Sequence, residues 1–293
     1  LTKKNPKTTK PKVCEFGGDA FKDLLLTLGC LSDECCLKVS KTGITTSLVD
    51  PAHIAMMMAD APASVFDDFK VSEDMEIGID IPKVLKAIKR CSYGTRYSIK
   101  DRQVIVSNAS KRFTLSTIDT TGMSDPKQPD LKDKLCAEFS LTGHELQEIS
   151  TDAAWISDHI SIEAKGGIVH ARCEGTMDSY EKRIGEFVTG DARSQFPLEY
   201  VQKFAKVVNG KLTMSIGPDN PMQVTWNTDS FLYDGTSTNA HKTKPGMQFV
   251  FLLAPRIESE PLESATHSEA ETVESQDEIE EQEAEQEALI EAE

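Results

Sequence analysis

The chain has no long apolar run. No window approaches the ~18 consecutive apolar residues needed to cross a bilayer, so no membrane association is expected. Its seven cysteines (Cys14, Cys30, Cys35, Cys36, Cys91, Cys136, Cys173) are odd in number and include no C-x-x-C pair. Metal centres need closely spaced ligands with His partners, so these thiols read as small core hydrophobes in a reducing compartment. Catalytic signatures are missing too: there is no G-x-x-x-x-G-K-[ST], no G-x-G-x-x-G opening a helix, no H-E-x-x-H and no G-x-S-x-G. His53, His144, His159, His170, His241 and His267 are scattered, and Asp50 beside Pro51 reads as a turn former rather than an acid. Neither a metal nor a cofactor is expected, and the chain reads as a non-enzyme. The competing reading of another class is a hydrolase whose site no motif marks.

Positive charge is absent from one stretch altogether. Residues 258–293 hold fifteen Asp or Glu and no Lys or Arg, which is nearly all of the net charge of −16. With almost no apolar content, this tail reads as disordered and solvating. The opposite end, residues 1–12, is a basic extension without the apolar core of a secretory signal. At 293 residues the chain holds two domains of common size, and the part between the two extensions is only mildly acidic. The placement of its basic residues therefore matters more than their sum.

That middle part looks duplicated. Leu37–Ile44 alternates apolar and polar residues and turns at Gly43, and Ser161–Ile168 repeats the outline with Gly167. A helix precedes each hairpin, roughly over Asp19–Leu28 and Gly143–Ile156. A second helix, Ile81–Cys91 or Pro197–Val208, leads into a further hairpin in each half. Such a unit repeated once implies an α+β fold of two similar domains, with antiparallel sheets and the helices gathered on one face. The expected boundaries are 13–117 and 135–257, joined by a Pro-containing crossing over 118–134. The 227–246 stretch, rich in Thr, Asn, Asp and Gly, reads as a surface insertion in the last hairpin.

The second helices are amphipathic. Ile81, Val84, Leu85, Ile88 and Cys91 fall on one side of the first, with Lys83, Lys86, Lys89 and Arg90 on the other. Leu198, Val201, Phe204, Ala205 and Val208 oppose Lys203 and Lys206 in the second, and Lys22 lies on the polar side of the helix over Asp19–Leu28. Near the end, Phe249-Val-Phe-Leu-Leu-Ala-Pro-Arg-Ile-Glu258 is a buried-type strand that Pro255 stops.

This final strand, the upstream Ser47-Leu-Val-Asp-Pro-Ala-His-Ile-Ala55 and the Lys-striped helix together resemble a DNA polymerase sliding clamp. The resemblance is to the proliferating-cell-nuclear-antigen family in its archaeal variety, and it covers roughly residues 13–257. It implies a DNA clamp fold that closes as a trimeric ring, sheets outside and helices lining the hole, with double-stranded DNA threaded through without sequence preference. Lys22, Lys83, Lys86, Lys89, Arg90, Lys203 and Lys206 are the expected lining. The helix over Gly143–Ile156 departs from the pattern, carrying Glu145, Glu148 and Asp152 where relatives often have Arg or Lys.

The resemblance also implies a groove for partner peptides, formed by Val49, His53, Ile54, Met123, Pro221, Leu252, Ala254, Pro255 and Ile257. DNA polymerase, clamp loader, flap endonuclease and DNA ligase are the expected partners, through short peptide motifs. Ring closure would pair two strand edges: Lys111–Thr117, with Lys111, Arg112 and Phe113, and Glu174–Ile184, with Asp178, Tyr180 and Glu181. The alternative within the fold is a subunit of a heteromeric or checkpoint-type ring. A clamp would be cytoplasmic and nucleoid-associated in an archaeon, nuclear in a eukaryote.

Overall fold

The computed structural model describes residues 12–256 except 92–93, 101, 124, 187–189, 209 and 229–245. The basic extension before Lys12, most of the expected 227–246 insertion, Ile257 and the acidic tail lie outside the described residues.

The first half runs β1 (Val13–Gly17), α1 (Ala20–Leu28), β2 (Glu34–Ser40), β3 (Gly43–Val49), β4 (Ala55–Pro62), β5 (Asp67–Val71), β6 (Met75–Asp80), α2 (Ile81–Cys91), β7 (Arg96–Lys100), β8 (Gln103–Ser107) and β9 (Arg112–Ser116). The second runs β10 (Ala137–Thr142), α3 (Gly143–Ala153), β11 (His159–Lys165), β12 (Ile168–Glu174), β13 (Ser179–Glu186), β14 (Ala192–Pro197), α4 (Leu198–Ala205), β15 (Lys211–Ile216), β16 (Met222–Asn227) and β17 (Gln248–Leu253). The order is the same in both halves once β4 and β5, separated by a single 3-10 turn over Ala63–Val65, are matched to β13. Equivalent backbone bonds fix the match: the Ile81 amide donates to the Asp33 carbonyl, and the Leu198 amide to the Asp158 carbonyl, each at 2.9 Å.

All strand pairs are antiparallel, in three sheets ordered β5-β1-β7-β8-β9, β10-β15-β16-β17-β4-β3-β2-β6 and β13-β12-β11-β14. The eight-stranded sheet takes four strands from each half, and the β17–β4 pair knits them. Beside that pair, Phe251 stacks on Phe204 of α4 with ring centroids 4.7 Å apart, and Trp226 stacks on Phe249 at 5.0 Å. A second aromatic cluster, Phe16, Phe21, Phe66 and Tyr97, fills the first half beneath α1.

The helices follow their apolar stripes, with local corrections. In α2, Ile81, Val84, Ala87, Ile88 and Cys91 are buried; Leu85, expected on that face, is only half-buried, and Ala87 takes its place. The Asp80 carboxylate accepts from the Lys83 amide at 2.8 Å, filling an otherwise unpaired donor of the first turn, and Pro82 sits where its missing N–H costs nothing. The helices expected over Gly143–Ile156 and Pro197–Val208 stop at Ala153 and Ala205. Gly43 turns the β2–β3 hairpin at φ 148°, where a Cβ would stand 2.2 Å from the Ala61 carbonyl oxygen, so only glycine fits.

Candidate nucleic-acid interface and peptide-binding face

Five of the seven predicted basic residues lie on the exposed sides of the two second helices as expected, and Lys206 stands at the C-cap of α4. The structure brings four of the seven together. Lys86 and Lys89 of α2, with Lys203 and Lys206, line one open cleft of about 580 Å³ with Leu26, Cys30 and Val207. Equivalence by the Ile81/Leu198 match pairs Lys86 with Lys203 and Lys89 with Lys206, so each half contributes the same two positions. Lys203 is partly engaged, its ammonium bonded to Glu199 and 5.1 Å from the Tyr200 ring centroid. Lys83 and Arg90 are exposed on α2 outside this cleft, and Lys22 is half-buried on α1 rather than fully on its polar side.

The acidic residues of α3 have structural work that their sequence position hid. Glu145 forms a capping box: its carboxylate accepts from the Thr142 amide at 2.7 Å while the Thr142 hydroxyl accepts from the Glu145 amide at 3.2 Å. These bonds hold the Glu145 carboxyl below the usual range, the Thr142 amide being the largest cause. Glu148 pairs with Lys182 of β13 at 2.8 Å, and Asp152 accepts from the Tyr180 hydroxyl at 3.4 Å. Glu148 and Asp152 are therefore turned toward β13.

The opposite face of the eight-stranded sheet carries a separate apolar patch. Val49, Met56 and Leu252 are cross-strand neighbours in one row, and Met58 and Val250 in the next. Leu131, from the crossing between halves, packs onto Met56 and Leu252, flanked by Val49, Met58, Leu135 and Val250. The crossing is pinned over these strands by the Lys38–Asp125 ion pair at 2.5 Å, by the Ser47 hydroxyl donating to the Pro126 carbonyl at 2.7 Å, and by Gln128 to Gln223 at 3.4 Å.

Of the residues expected to form a peptide groove, this patch includes Val49 and Leu252. Ile54 packs instead against the main core, because its carbonyl accepts from the Ala254 amide at 2.8 Å and draws the 50–54 loop inward. His53 is exposed at φ 57°, while Ala254, Pro255, Met123 and Pro221 are half-buried outside the patch. Met56, Met58, Leu131 and Val250 were missed. Their signal was visible: Ala55-Met-Met-Met-Ala59 and Phe249–Leu253 are apolar on both strand faces, as a sheet covered on both sides requires.

Asp50 organises the loop beside the patch. Buried to 4% exposure, its carboxylate accepts from the amides of Ala52, Ile54 and Ala55 at 2.7–3.1 Å and from the Tyr200 hydroxyl of α4 at 2.6 Å. Burial acts to raise this carboxyl, yet the four donors outweigh it and hold it below the ordinary range. Burial and the same bond push the Tyr200 phenol up to about 12. The expected turn-forming role of Asp50 is what the geometry shows, with a tether to α4 added.

Known proteins share this fold. The fold matches that of A. fulgidus PCNA solved with the C-terminal region of FEN-1 bound, with a TM-score of 0.72 at 24% identity, covering 85% of this chain and 100% of that one. It also matches PCNA from Thermococcus kodakaraensis, with a TM-score of 0.69 at 19% identity over 83% of this chain and all of that one. In sequence, the chain is 29% identical over 258 residues to the DNA polymerase sliding clamp of Methanocella arvoryzae, covering 84% of this chain and 98% of the relative. The clamp of Methanosarcina acetivorans is 28% identical over 257 residues, with the same coverage. No protein-family model matches the chain. The chain is similar over most of its length to archaeal DNA polymerase sliding clamps.

In this clamp fold, β9 and β13 are sheet edges with no neighbour on their outer side among the described residues. β9 is the repeat equivalent of β17, and β13 of β4, the two strands that do pair inside the chain. Phe113 and Tyr180 both pack against the core, on the helix side of their strands. The expected edge strand Glu174–Ile184 is corrected: Glu174 ends β12, and Asp178 lies in the turn before β13, its carbonyl accepting from the Gly175 amide at 2.8 Å. Glu181 is already paired with Arg172 at 2.9 Å, and the Lys111 ammonium donates to the Arg90 carbonyl at 2.8 Å, closing the C-terminal end of α2. Glu181 is thus already ion-paired, and Lys111 already hydrogen-bonded, within the chain.

Proposed function

We propose that this chain is a sliding clamp: copies join β9 to β13, close a ring of three around duplex DNA, and tether polymerase and other replication and repair enzymes to it. The observation that carries the reading is the cleft in which Lys86, Lys89, Lys203 and Lys206 from both halves converge on the helix side. Phosphate contacts from such lysines are indifferent to sequence and exchange readily, so they guide DNA without arresting it. Ring closure makes tight binding unnecessary. No step of bond-making chemistry is assigned to the chain, and none is needed for tethering.

The patch of Val49, Met56, Met58, Val250 and Leu252 under the pinned crossing supports a site for apolar anchors of a partner peptide, with methionines able to fit several shapes. The similar clamp structure solved with a FEN-1 C-terminal region is consistent with that mode, and flap endonuclease, DNA ligase, polymerase and clamp loader are the partners this reading names. The test is primer extension on closed circular DNA with a cognate polymerase and clamp loader. Long products that require this chain, and that disappear when the circle is linearised so that the ring runs off, are expected. Extension indifferent to the chain overturns the reading. A chain that supports extension only when mixed with other subunits is part of a heteromeric ring.

A further inference from the structure

Two large apolar side chains stand almost fully in solvent: Trp155 at 88% exposure and Met177 at 94%. They flank one corner. Trp155 follows the end of α3, and Met177 is in the β12–β13 turn. Gly175 of that turn backs onto the Ile156 carbonyl so closely that a Cβ would stand 2.8 Å from it. The Cys173 thiol reaches the Ala153 carbonyl at 3.6 Å, pinning the same corner from beneath.

The other half shows what covers such a corner. Counting back from the matched pair Asp33 and Asp158, Cys30 holds the place of Trp155, Leu26 that of Thr151, and Gly29 that of Ala154. Cys30 is half-buried. With Leu26 and Gly29 it lines the cleft to which the end of α4 contributes Lys203, Lys206 and Val207 across the internal β17–β4 pair, and α2 of its own half Lys86 and Lys89. Burial there pushes its thiol up to about 12. The repeat equivalents of Lys203, Lys206 and Val207 are Lys86, Lys89 and Arg90 of α2. In one copy they lie in the other half from Trp155, beside the open edge β9.

We infer that Trp155 is an assembly anchor, covered by the Lys86–Arg90 side of α2 from a second copy of this chain when β13 of one copy pairs with β9 of the next. This rests on the ring reading above. Side-chain size is distributed differently at the two joints: the internal one has the larger residue at Leu26, 40% exposed, and the smaller at Cys30, while the open one has Thr151 and Trp155 at the equivalent positions. Charge supports the assignment. An indole face is the best aromatic platform for a guanidinium or ammonium group, and Arg90 replaces the apolar Val207 where the indole replaces a thiol. Met177, on the turn beside it, closes the rim with a side chain that adapts to what it meets.

The experiment uses the full chain, with sedimentation velocity and tryptophan emission followed over a concentration series. Trp226 is buried, so the concentration-dependent part of the emission belongs to Trp155. The wild type is expected to assemble with a blue shift. Trp155→Ala should require at least tenfold more protein to assemble, Trp155→Phe less, and both monomers should keep the wild-type circular dichroism and melting midpoint. Arg90→Ala combined with Trp155→Ala should cost less than the product of the two separate effects. Assembly with unshifted emission and an unaffected Trp155→Ala variant overturns the anchor and leaves the ring intact. A wild type that stays monomeric at every concentration overturns the second copy as occupant and the homomeric ring together.

Discussion

The strand pair that closes inside the chain and the two edges left open are built from equivalent parts and finished differently. At the closed joint, β17 meets β4, Phe251 and Phe249 fill the helix side, Leu131 and the crossing cover the other side, and Tyr200 ties α4 to the β3–β4 loop. At the open edges, Phe113 and Tyr180 are half-buried, Trp155 and Met177 are bare, and no strand lies alongside among the described residues. The closed joint belongs to folding. The open one has the composition of an interface: aromatic anchors and a basic helix, with Glu148, Asp152 and Glu181 already engaged inside their own chain.

The sharpest way to break that contrast is to cut an aromatic at each joint. Phe251→Ala removes a fully buried ring stacked on Phe204, and should cost about 3–5 kcal/mol of folding stability in denaturant titration. Phe113→Ala, at the equivalent open strand, should shift the folding midpoint less and raise the concentration needed for assembly on the order of tenfold. If the two variants lose folding stability equally, the distinction between folding joint and assembly joint fails.

Next in size is the basic cleft. Replacing Lys86, Lys89, Lys203 and Lys206 with Ala should lower the slope of log affinity against log salt by up to about 4, roughly one for each phosphate no longer neutralised. Retention on closed circles should drop on the order of tens of fold at moderate salt. The α2 pair and the α4 pair should contribute similarly, with Lys203 the weakest because Glu199 already holds it. A loss confined to one pair would show that DNA does not meet the two halves alike.

Much of this was legible in the sequence, for a physical reason in each case. α2 was readable to its ends because its apolar stripe, running from Ile81 to Cys91, is strongly amphipathic. The repeat was readable because both hairpins turn on glycine at the same distance from a helix. The apolar patch under the crossing was only half legible. Val49 and Leu252 belong to it, but Ile54 is drawn into the core by a backbone bond to Ala254, and strand register, which composition does not encode, decides that Met56 and Val250 share its surface. The acidic face of α3 was misleading for a similar reason. Glu148 and Asp152 find partners far away in sequence, in Lys182 and Tyr180, and Glu145 is taken up by the local Thr142 box. Trp155 gave no periodic signal, because it stands just past the helix end.

The tether sharpens the comparison further, since among the described residues only the closed joint has one. Tyr200→Phe keeps the ring and removes the bond to Asp50, and should cost about 1.5 kcal/mol, as expected for a hydrogen bond to a charged acceptor. Its pH dependence has a definite sign. Because the Asp50 carboxyl is held below its ordinary value in the folded chain, its contribution is full above about pH 4 and fades as pH falls through the lowered value. The Tyr200 phenol is raised to about 12, so its share is full below about pH 10 and is lost as pH rises through the folded value. Denaturant midpoints of wild type and variant should therefore differ across neutral pH and converge at both extremes. A difference that is flat with pH would separate the stabilisation from this bond.

The smallest effect separates the two first helices. α1 begins at Asp19 with no side-chain cap and relies on Phe21, Leu24, Leu25 and Leu28, all fully buried. α3 has a thinner apolar face, Leu146, Ile149 and Ala153, and depends on the Thr142–Glu145 box to satisfy its first donors. Thr142→Ala should cost about 1 kcal/mol, and Thr142→Ser should restore most of it. The loss has a consequence beyond stability, because α3 holds Trp155 at its far end and steadies β13 through Glu148 and Asp152. Fraying there should weaken assembly more than the folding loss alone accounts for, read as a shift in the concentration of half-assembly. Asp19→Ala, which removes no cap bond from α1, should leave both midpoints where they are, so a matching loss from that substitution would show that the two helices are held by the same means after all.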